Sequence, residues 1–228
     1  MKQSKLLNDN KQFEVNNWNW SVDHSTSFKI IKRKWIIMLS APHAVNHFRN
    51  WELLQADILT WWLAVYLSEK FDLPCIYSTS SNVWDPNYDE YETSDYKKEL
   101  IRFLDNNNIK LLIDLHGCWS QRDFAIELWT WWDNNPNLLW NAKLLNRIKS
   151  SLEASLKSYL AHNKTAITVN TIFPASNKNT ISAFISQKGN IPAVQIEINK
   201  SLRDEKNLEK LIASLEILLS DLNQYFSN

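Results

Sequence analysis

Three short polar clusters could carry metal chemistry, and each one ends an apolar run that predicts a buried strand. The clusters are Pro42-His43, Asp114-x-His116-Gly117 and Gln195-x-Glu197. Residues two apart on a strand lie on the same face, so the Asp114 carboxylate can orient the His116 imidazole. We interpret His43 and His116 as ligands of one metal ion and Glu197 as a general base. The alternatives are hydrogen-bonded structural histidines and a solvated edge-strand face for Glu197.

A zinc hydrolase also needs a third protein ligand, usually a carboxylate, and one position left for water. Asp57 and Glu52 are acidic residues that follow His43 closely. We favour Asp57, because Thr60 lies three residues later and would share a helix face with it. Thr60 could then support the Asp57 carboxylate without itself binding the metal. Glu52 and His47 remain alternative ligands at this stage.

Two arginines lie near these clusters and suit a substrate that carries a carboxylate. Arg49 follows the first cluster and Arg203 follows the third. A guanidinium group can bind a carboxylate through two parallel hydrogen bonds, so we predict that both arginines bind substrate. A surface salt bridge is the alternative for each of them.

Strands and helices alternate along the chain, which positions the three clusters. The predicted strands cover residues 35–39, 75–77, 109–115, 124–129 and 191–198. The predicted helices cover 54–70, 94–106, 138–160 and 181–186, and a last amphipathic helix carries apolar residues from 208 to 225. This order predicts a three-layer α/β/α fold with a mostly parallel mixed central sheet, whose ligands bind beyond the carboxyl ends of the strands. We predict an N-terminal arm at 1–28, a single domain at 29–228 and an exposed loop at 80–93.

Composition excludes several classes of function. Lys plus Arg and Asp plus Glu both total 25, so no overall field favours nucleic acid or an anionic membrane. The two glycines cannot form a glycine-rich phosphate loop. Cys75 and Cys118 are predicted to be reduced thiols, and the polar first residues lack a signal-peptide core, so we expect a cytoplasmic protein. The twelve tryptophans mostly predict core packing, although they leave open a non-catalytic protein that binds a glycan or peptide.

Five stretches, in this order along the chain, resemble the N-formylglutamate amidohydrolase family, which shares its fold with the zinc carboxypeptidases. They are Ser40-Ala-Pro-His-Ala-Val-Asn-His-Phe-Arg49, Asp57-x-x-Thr60, Asp85-Pro-Asn87, Leu112-Ile-Asp-Leu-His-Gly117, and Pro192-Ala-Val-Gln-Ile-Glu-Ile198 followed by Arg203. The resemblance implies a zinc ion held by His43, an acidic partner and His116, with Glu197 as the general base and Asn87 in the substrate site.

The chain departs from the carboxypeptidase pattern at one point, because no acidic residue stands three positions after His43. From the resemblance we expect a zinc-dependent amidohydrolase that cleaves an N-acyl amino acid related to N-formylglutamate, or a small peptide. Its substrate would carry a carboxylate, and neither nucleic acid nor membrane is expected as a partner. The alternatives are a carboxypeptidase or a γ-glutamyl amide hydrolase on the same scaffold.

Overall fold

A computed structural model describes residues 27–80, 85–131, 135–172 and 177–227, and it contains a seven-stranded mixed sheet in the order β1-β5-β2-β6-β9-β7-β8. The strands are β1 Phe28–Ile31, β2 Ile37–Ala41, β3 His47–Arg49, β4 Glu52–Leu54, β5 Cys75–Ser78, β6 Leu111–Cys118, β7 Ile126–Trp129, β8 Ile167–Val169 and β9 Ala193–Asn199. The helices are α1 Thr60–Phe71, α2 Asp95–Asp105, α3 Ala142–Ser155, α4 Lys157–Asn163, α5 Ile181–Lys188 and α6 Leu208–Ser227. All of the predicted arm except its last two residues lies outside the described residues.

The predicted mixed, mostly parallel sheet is confirmed. Strands β5, β2, β6 and β9 run parallel, β1 is antiparallel to β5, and β7 is antiparallel to β9. One apolar core joins the sheet to α1, α3 and α6, and a second joins its other face to α2 and α5. Helices therefore cover both faces, which is the predicted three-layer arrangement.

The register between β6 and β9 gathers the polar clusters. Asp114 pairs with Gln195, and His116 pairs with Glu197, in parallel register. Nearer the start of the same face, Leu112 belongs to the apolar core. The face therefore changes from apolar to polar toward the carboxyl ends of the strands, and four polar side chains meet there.

Several elements differ from the sequence prediction. The helix expected at 138–160 is two helices, α3 and α4, with Leu156 between them and a short 3₁₀ helix, Pro136–Leu138, before them. The sequence pattern does not predict strands β1, β3, β4 and β8, which have three or four residues each. Unlike the equally short β5 and β7, they consist mostly of half-buried or exposed residues, so no buried apolar run identifies them. The loop at 80–93 is not wholly exposed, because Asp85 and Asn87 are buried.

The caps of two helices and the state of the two cysteines agree with the sequence. Ser94 caps α2 by accepting a hydrogen bond from the Lys97 amide, and Thr180 caps α5 in the same way. Cys75 and Cys118 are free thiols. Among the described residues, no helix combines the length and the apolar character needed to cross a membrane.

Candidate metal centre

Two imidazoles and one carboxylate meet at the carboxyl ends of β2 and β6. The Nδ1 atoms of His43 and His116 lie 3.4 and 3.1 Å from the same carboxylate oxygen of Asp57. One potential ligand atom from each of the three residues lies within 4.8 Å of the others. The Asp57 amide also donates to the His43 carbonyl at 2.8 Å, which fixes the segment that carries the carboxylate. Two histidines and a carboxylate form a donor set that suits zinc, so the residues fit the ion that the sequence predicts.

A second carboxylate stands behind each imidazole. The Nε2 atom of His43 lies 2.7 Å from Oδ1 of Asp85, and Nε2 of His116 lies 3.1 Å from Oδ2 of Asp114. Both contacts are on the ring nitrogen that faces away from Asp57. Such partners fix the tautomer and the orientation of a histidine that binds a metal through its other nitrogen.

The electrostatics of this cluster favour a cation. Burial lowers the pKa of His116, but Asp114 and Asp57 outweigh burial and raise this pKa well above its usual value. Burial alone would raise the pKa of Asp57, yet hydrogen bonds from His116 and His43 hold it below its usual range. The pKa of Asp85 is likewise lowered against burial, chiefly by the His43 charge. Asp57 and Asp85 are therefore ionised, and their negative charge favours a cation beside the two imidazoles.

Glu197 lies beside this cluster on β9. It is buried, and its Oε1 accepts a hydrogen bond of 2.9 Å from the Gln195 side chain. Burial raises the pKa of Glu197 to about 7, although the His116 charge acts in the opposite direction. Together with His43, Asp57 and His116, it lines a cleft of about 470 Å³. A carboxyl group with this pKa can accept and release a proton near neutral pH.

Thr60 supports Asp57, but not as predicted. Asp57 precedes α1, and the Thr60 hydroxyl donates to its backbone carbonyl at 2.7 Å. The predicted support of the carboxylate is wrong, because Asp57 lies outside the helix and the shared helix face does not exist. Glu52, the alternative acidic ligand, is exposed on β4 opposite Arg49 and does not join the cluster.

The three residues predicted to bind substrate have specific contacts within the protein. Arg49 donates from Nε to Oδ2 of Asp85 at 2.6 Å, and its guanidinium lies 5.4 Å from the ring centre of Tyr88. The Asn87 amide nitrogen lies 3.0 Å from Nε2 of His116, while its oxygen accepts from the Ile181 amide at 2.7 Å. Both side chains line the cleft that contains Glu197, and their roles toward substrate remain predictions.

Arg203 is buried and faces backbone. It donates to the carbonyls of Ile198 at 3.1 Å and Cys118 at 3.2 Å, and also to the Ile58 carbonyl. Its guanidinium lies so close to Gly117 that a Cβ atom there would be 2.4 Å from Nη2. Arg203 thus ties the end of β6 to the segment before α1, and its predicted contact with substrate is untested.

Sequence reasoning gave no site role to Asp85, which orients His43. No spacing rule links position 85 to position 43, and the only signal was its place in one of the five resembling stretches.

His47, an alternative ligand, stacks on His43 with ring centres 4.0 Å apart and forms a second possible metal group with His43 and Asp85. Burial lowers the pKa of His47 to about 3, so its imidazole is neutral. The Arg49 guanidinium on Asp85 disfavours a cation in this second group.

No protein-family model and no curated protein sequence matches the chain. Solved structures do match it. A bacteriophage poly-γ-glutamate hydrolase matches with a TM-score of 0.57 and 15% identity, over 90% of this chain and 92% of the other. An N-formylglutamate amidohydrolase from Ralstonia eutropha matches with a TM-score of 0.56 and 11% identity, over 89% and 99% of the two chains. A metallo-carboxypeptidase from Pseudomonas aeruginosa matches with a TM-score of 0.50 and 13% identity, over 88% of this chain and 60% of the other. The chain therefore has the zinc carboxypeptidase-like fold of N-formylglutamate amidohydrolase that its sequence predicts.

Proposed function

We propose that this chain is a zinc-dependent amidohydrolase that cleaves the amide bond of an N-acyl amino acid related to N-formylglutamate, or of a small peptide. The observation that carries the proposal is the position of Glu197. A buried carboxyl group with a pKa of about 7 lines the same cleft as the cluster of His43, Asp57 and His116. A general base beside a three-ligand zinc site is the minimum that hydrolysis of an amide by activated water requires.

His43, Asp57 and His116 would hold the metal. When bound, zinc supplies a Lewis acid that polarises a carbonyl group and lowers the pKa of water. The protein supplies the proton transfers: Glu197 takes a proton from the attacking water and passes it to the leaving nitrogen. Asp85 and Asp114 keep the two imidazole rings oriented while this occurs.

Substrate binding falls to the cationic and amide groups at the cleft. Arg49 lines the cleft and would attract a substrate carboxylate, and Asn87 lines the same cleft. We assign Arg203 a smaller role in substrate binding, because its guanidinium donates to three backbone carbonyls. The similarity to a poly-γ-glutamate hydrolase and to a carboxypeptidase supports the same chemistry on other amides, which keeps these two activities as alternatives.

The test compares Glu197→Gln with Glu209→Gln, an exposed control in the first turn of α6. Both purified proteins are assayed for zinc content and for hydrolysis of N-formyl-L-glutamate, N-acetyl-L-glutamate and short peptides. We expect Glu197→Gln to retain its zinc and lose about 10²- to 10⁴-fold in turnover, the usual contribution of a general base. The control should match the unmodified protein.

Two results would oppose the proposal. Turnover in Glu197→Gln equal to that of the unmodified protein would remove its role as base. A metal-free protein that hydrolyses none of these amides, yet binds a glycan or peptide, would favour a non-catalytic protein that uses its exposed tryptophans.

A further inference from the structure

Two clefts meet at the candidate metal centre. We call the first the hairpin arm: it has a volume of about 540 Å³ and is bordered by Leu53, Leu54 and Lys200. The second, the Glu197 arm, has a volume of about 470 Å³ and is also bordered by Arg122 and Trp129. Six residues line both arms, namely His43, Arg49, Asp57, Gly117, Cys118 and Trp119. The metal position therefore lies between two binding spaces and not at the end of one.

Each arm is large compared with a single amino acid. Pockets of roughly 300–1,000 Å³ bury most of a drug-sized ligand, so either arm alone could hold one N-acyl amino acid. A substrate that ended at the scissile bond would leave the other arm without a contact. The two arms together fit a substrate that continues on both sides of the bond.

Trp119 marks the junction of the arms. It follows β6 directly, lines both arms and is 56% exposed. The Lys200 ammonium lies 5.8 Å from the centre of its ring. An exposed tryptophan offers a large rigid surface on which an extended chain can pack. Because Trp119 lines both arms, a chain that occupied them could pack on its ring.

Positive side chains line both arms. Lys200 lies in the hairpin arm, Arg122 lies in the Glu197 arm, and Arg49 lies where they join. Because the whole chain has no net charge, this is a local arrangement. Asp204 is the acidic residue of the hairpin arm outside the metal cluster, but its carboxylate accepts hydrogen bonds from the Asn207 amide and side chain at 3.0 and 3.2 Å. The other acidic residues of the two arms are the ligand Asp57 and the proposed base Glu197, so the basic side chains favour carboxylates on a bound chain.

Resting on the hydrolase function proposed above, we propose that the substrate is an acidic, amide-linked chain that occupies both arms, so that cleavage falls inside the chain. Trp119 and Lys200 determine specificity in the hairpin arm. Arg122 plays the corresponding part in the Glu197 arm. The reaction is hydrolysis: water adds its OH to the acyl carbon and its hydrogen to the amide nitrogen as the C–N bond breaks.

The experiment uses zinc-loaded full-length protein and end-blocked hexamers of glutamate joined through either the α- or the γ-carboxyl. Hexaglutamine of the same length and N-acetyl-L-glutamate are the comparison substrates. Mass spectrometry gives the lengths of the products. We expect cleavage inside one of the blocked glutamate hexamers, with kcat/KM at least tenfold above that for hexaglutamine or N-acetyl-L-glutamate.

Variants test the assigned residues. Trp119→Ala and Lys200→Ala should each lower the ratio of hexaglutamate to N-acetyl-L-glutamate kcat/KM by about tenfold, mainly through KM. Trp140→Ala is the matched control, because Trp140 is 66% exposed and lines neither arm. As a second readout, zinc-loaded Glu197→Gln should bind the blocked hexamer in calorimetry, and adding Trp119→Ala should weaken this binding about tenfold. Zinc content and thermal melting show whether each variant is folded.

The outcomes separate the two proposals. Zinc-dependent cleavage of N-acetyl-L-glutamate at a rate equal to or above that of the hexamers would overturn the extended substrate and leave the hydrolase in place. An unchanged substrate ratio in a folded Trp119→Ala protein would also overturn it. Absence of zinc-dependent hydrolysis of every amide tested would overturn the hydrolase and, with it, this inference.

Discussion

Replacement of Asp85 by Asn tests whether a residue outside the metal ligands sets the affinity of the centre. Asp85 is buried; its Oδ1 lies 2.7 Å from Nε2 of His43 and accepts a hydrogen bond of 2.8 Å from the backbone amide of Asn87. Its Oδ2 accepts from Arg49 at 2.6 Å. Asparagine has the same shape and can keep an oxygen toward His43, so the substitution removes the negative charge and, with it, the acceptor for Arg49.

The expected loss of zinc affinity follows from the contact between Asp85 and His43 and from its burial. Replacing the partner of a metal-binding histidine typically lowers metal affinity about 10- to 100-fold. This range corresponds to about 1.4–2.7 kcal/mol at 25 °C. We expect the upper half of the range, because Asp85 is buried and water screens its charge poorly.

The assay is competition for zinc against a chromophoric chelator at constant pH. Asp95→Asn is the matched control: it makes the same chemical change at an exposed position in the first turn of α2, and Asp95 belongs to neither possible metal group. Its zinc affinity should stay within about threefold of the original. Thermal melting of the metal-free proteins shows whether Asp85→Asn is folded. Unchanged zinc affinity in a folded Asp85→Asn protein would refute the claim that Asp85 orients His43.

Three further predictions concern the other side of the centre, the base and the hairpin. Asp114→Asn should lower zinc affinity about tenfold or more, because Asp114 contacts Nε2 of His116 at 3.1 Å; equal affinity in the same competition assay would contradict this. Burial raises the pKa of Glu197 to about 7, and a bound cation lowers it, so kcat/KM should fall as pH drops through a limb at or below pH 7. A pH-rate profile whose acid limb lies well above pH 7 would count against this base. Asn50 and Trp51 form the turn between β3 and β4 with φ of 51° and 68°, a conformation in which glycine is favoured at the second position. Trp51→Gly should therefore raise the free energy of unfolding, measured in urea, by up to about 1 kcal/mol. A free energy of unfolding below that of the unmodified protein would contradict this.

The sequence predicts the parts of the site that long strands place. β6 and β9 have eight and seven residues, so their apolar runs and polar ends are visible without coordinates. Parallel neighbours then bring His116 next to Glu197 by register alone. The fold class follows from the same alternation of strands and helices.

Contacts made by loops could not be predicted in the same way. Asp85 lies 42 positions after His43, in a loop whose conformation no periodic sequence pattern predicts. The β3–β4 hairpin has three-residue strands and a turn without glycine, so it carries neither of the usual hairpin signals. Thr60 shows the opposite error, since the correct spacing to Asp57 was interpreted with a helix that begins three residues later.

The zinc content of three purified proteins tests the centre itself: the unmodified chain, His116→Ala and His47→Ala. The three-ligand site predicts one zinc per chain after dialysis for the unmodified protein and for His47→Ala, and none for His116→Ala. Retention of zinc by a folded His116→Ala protein, together with its loss from His47→Ala, would place the ion on His43, His47 and Asp85 and contradict the account.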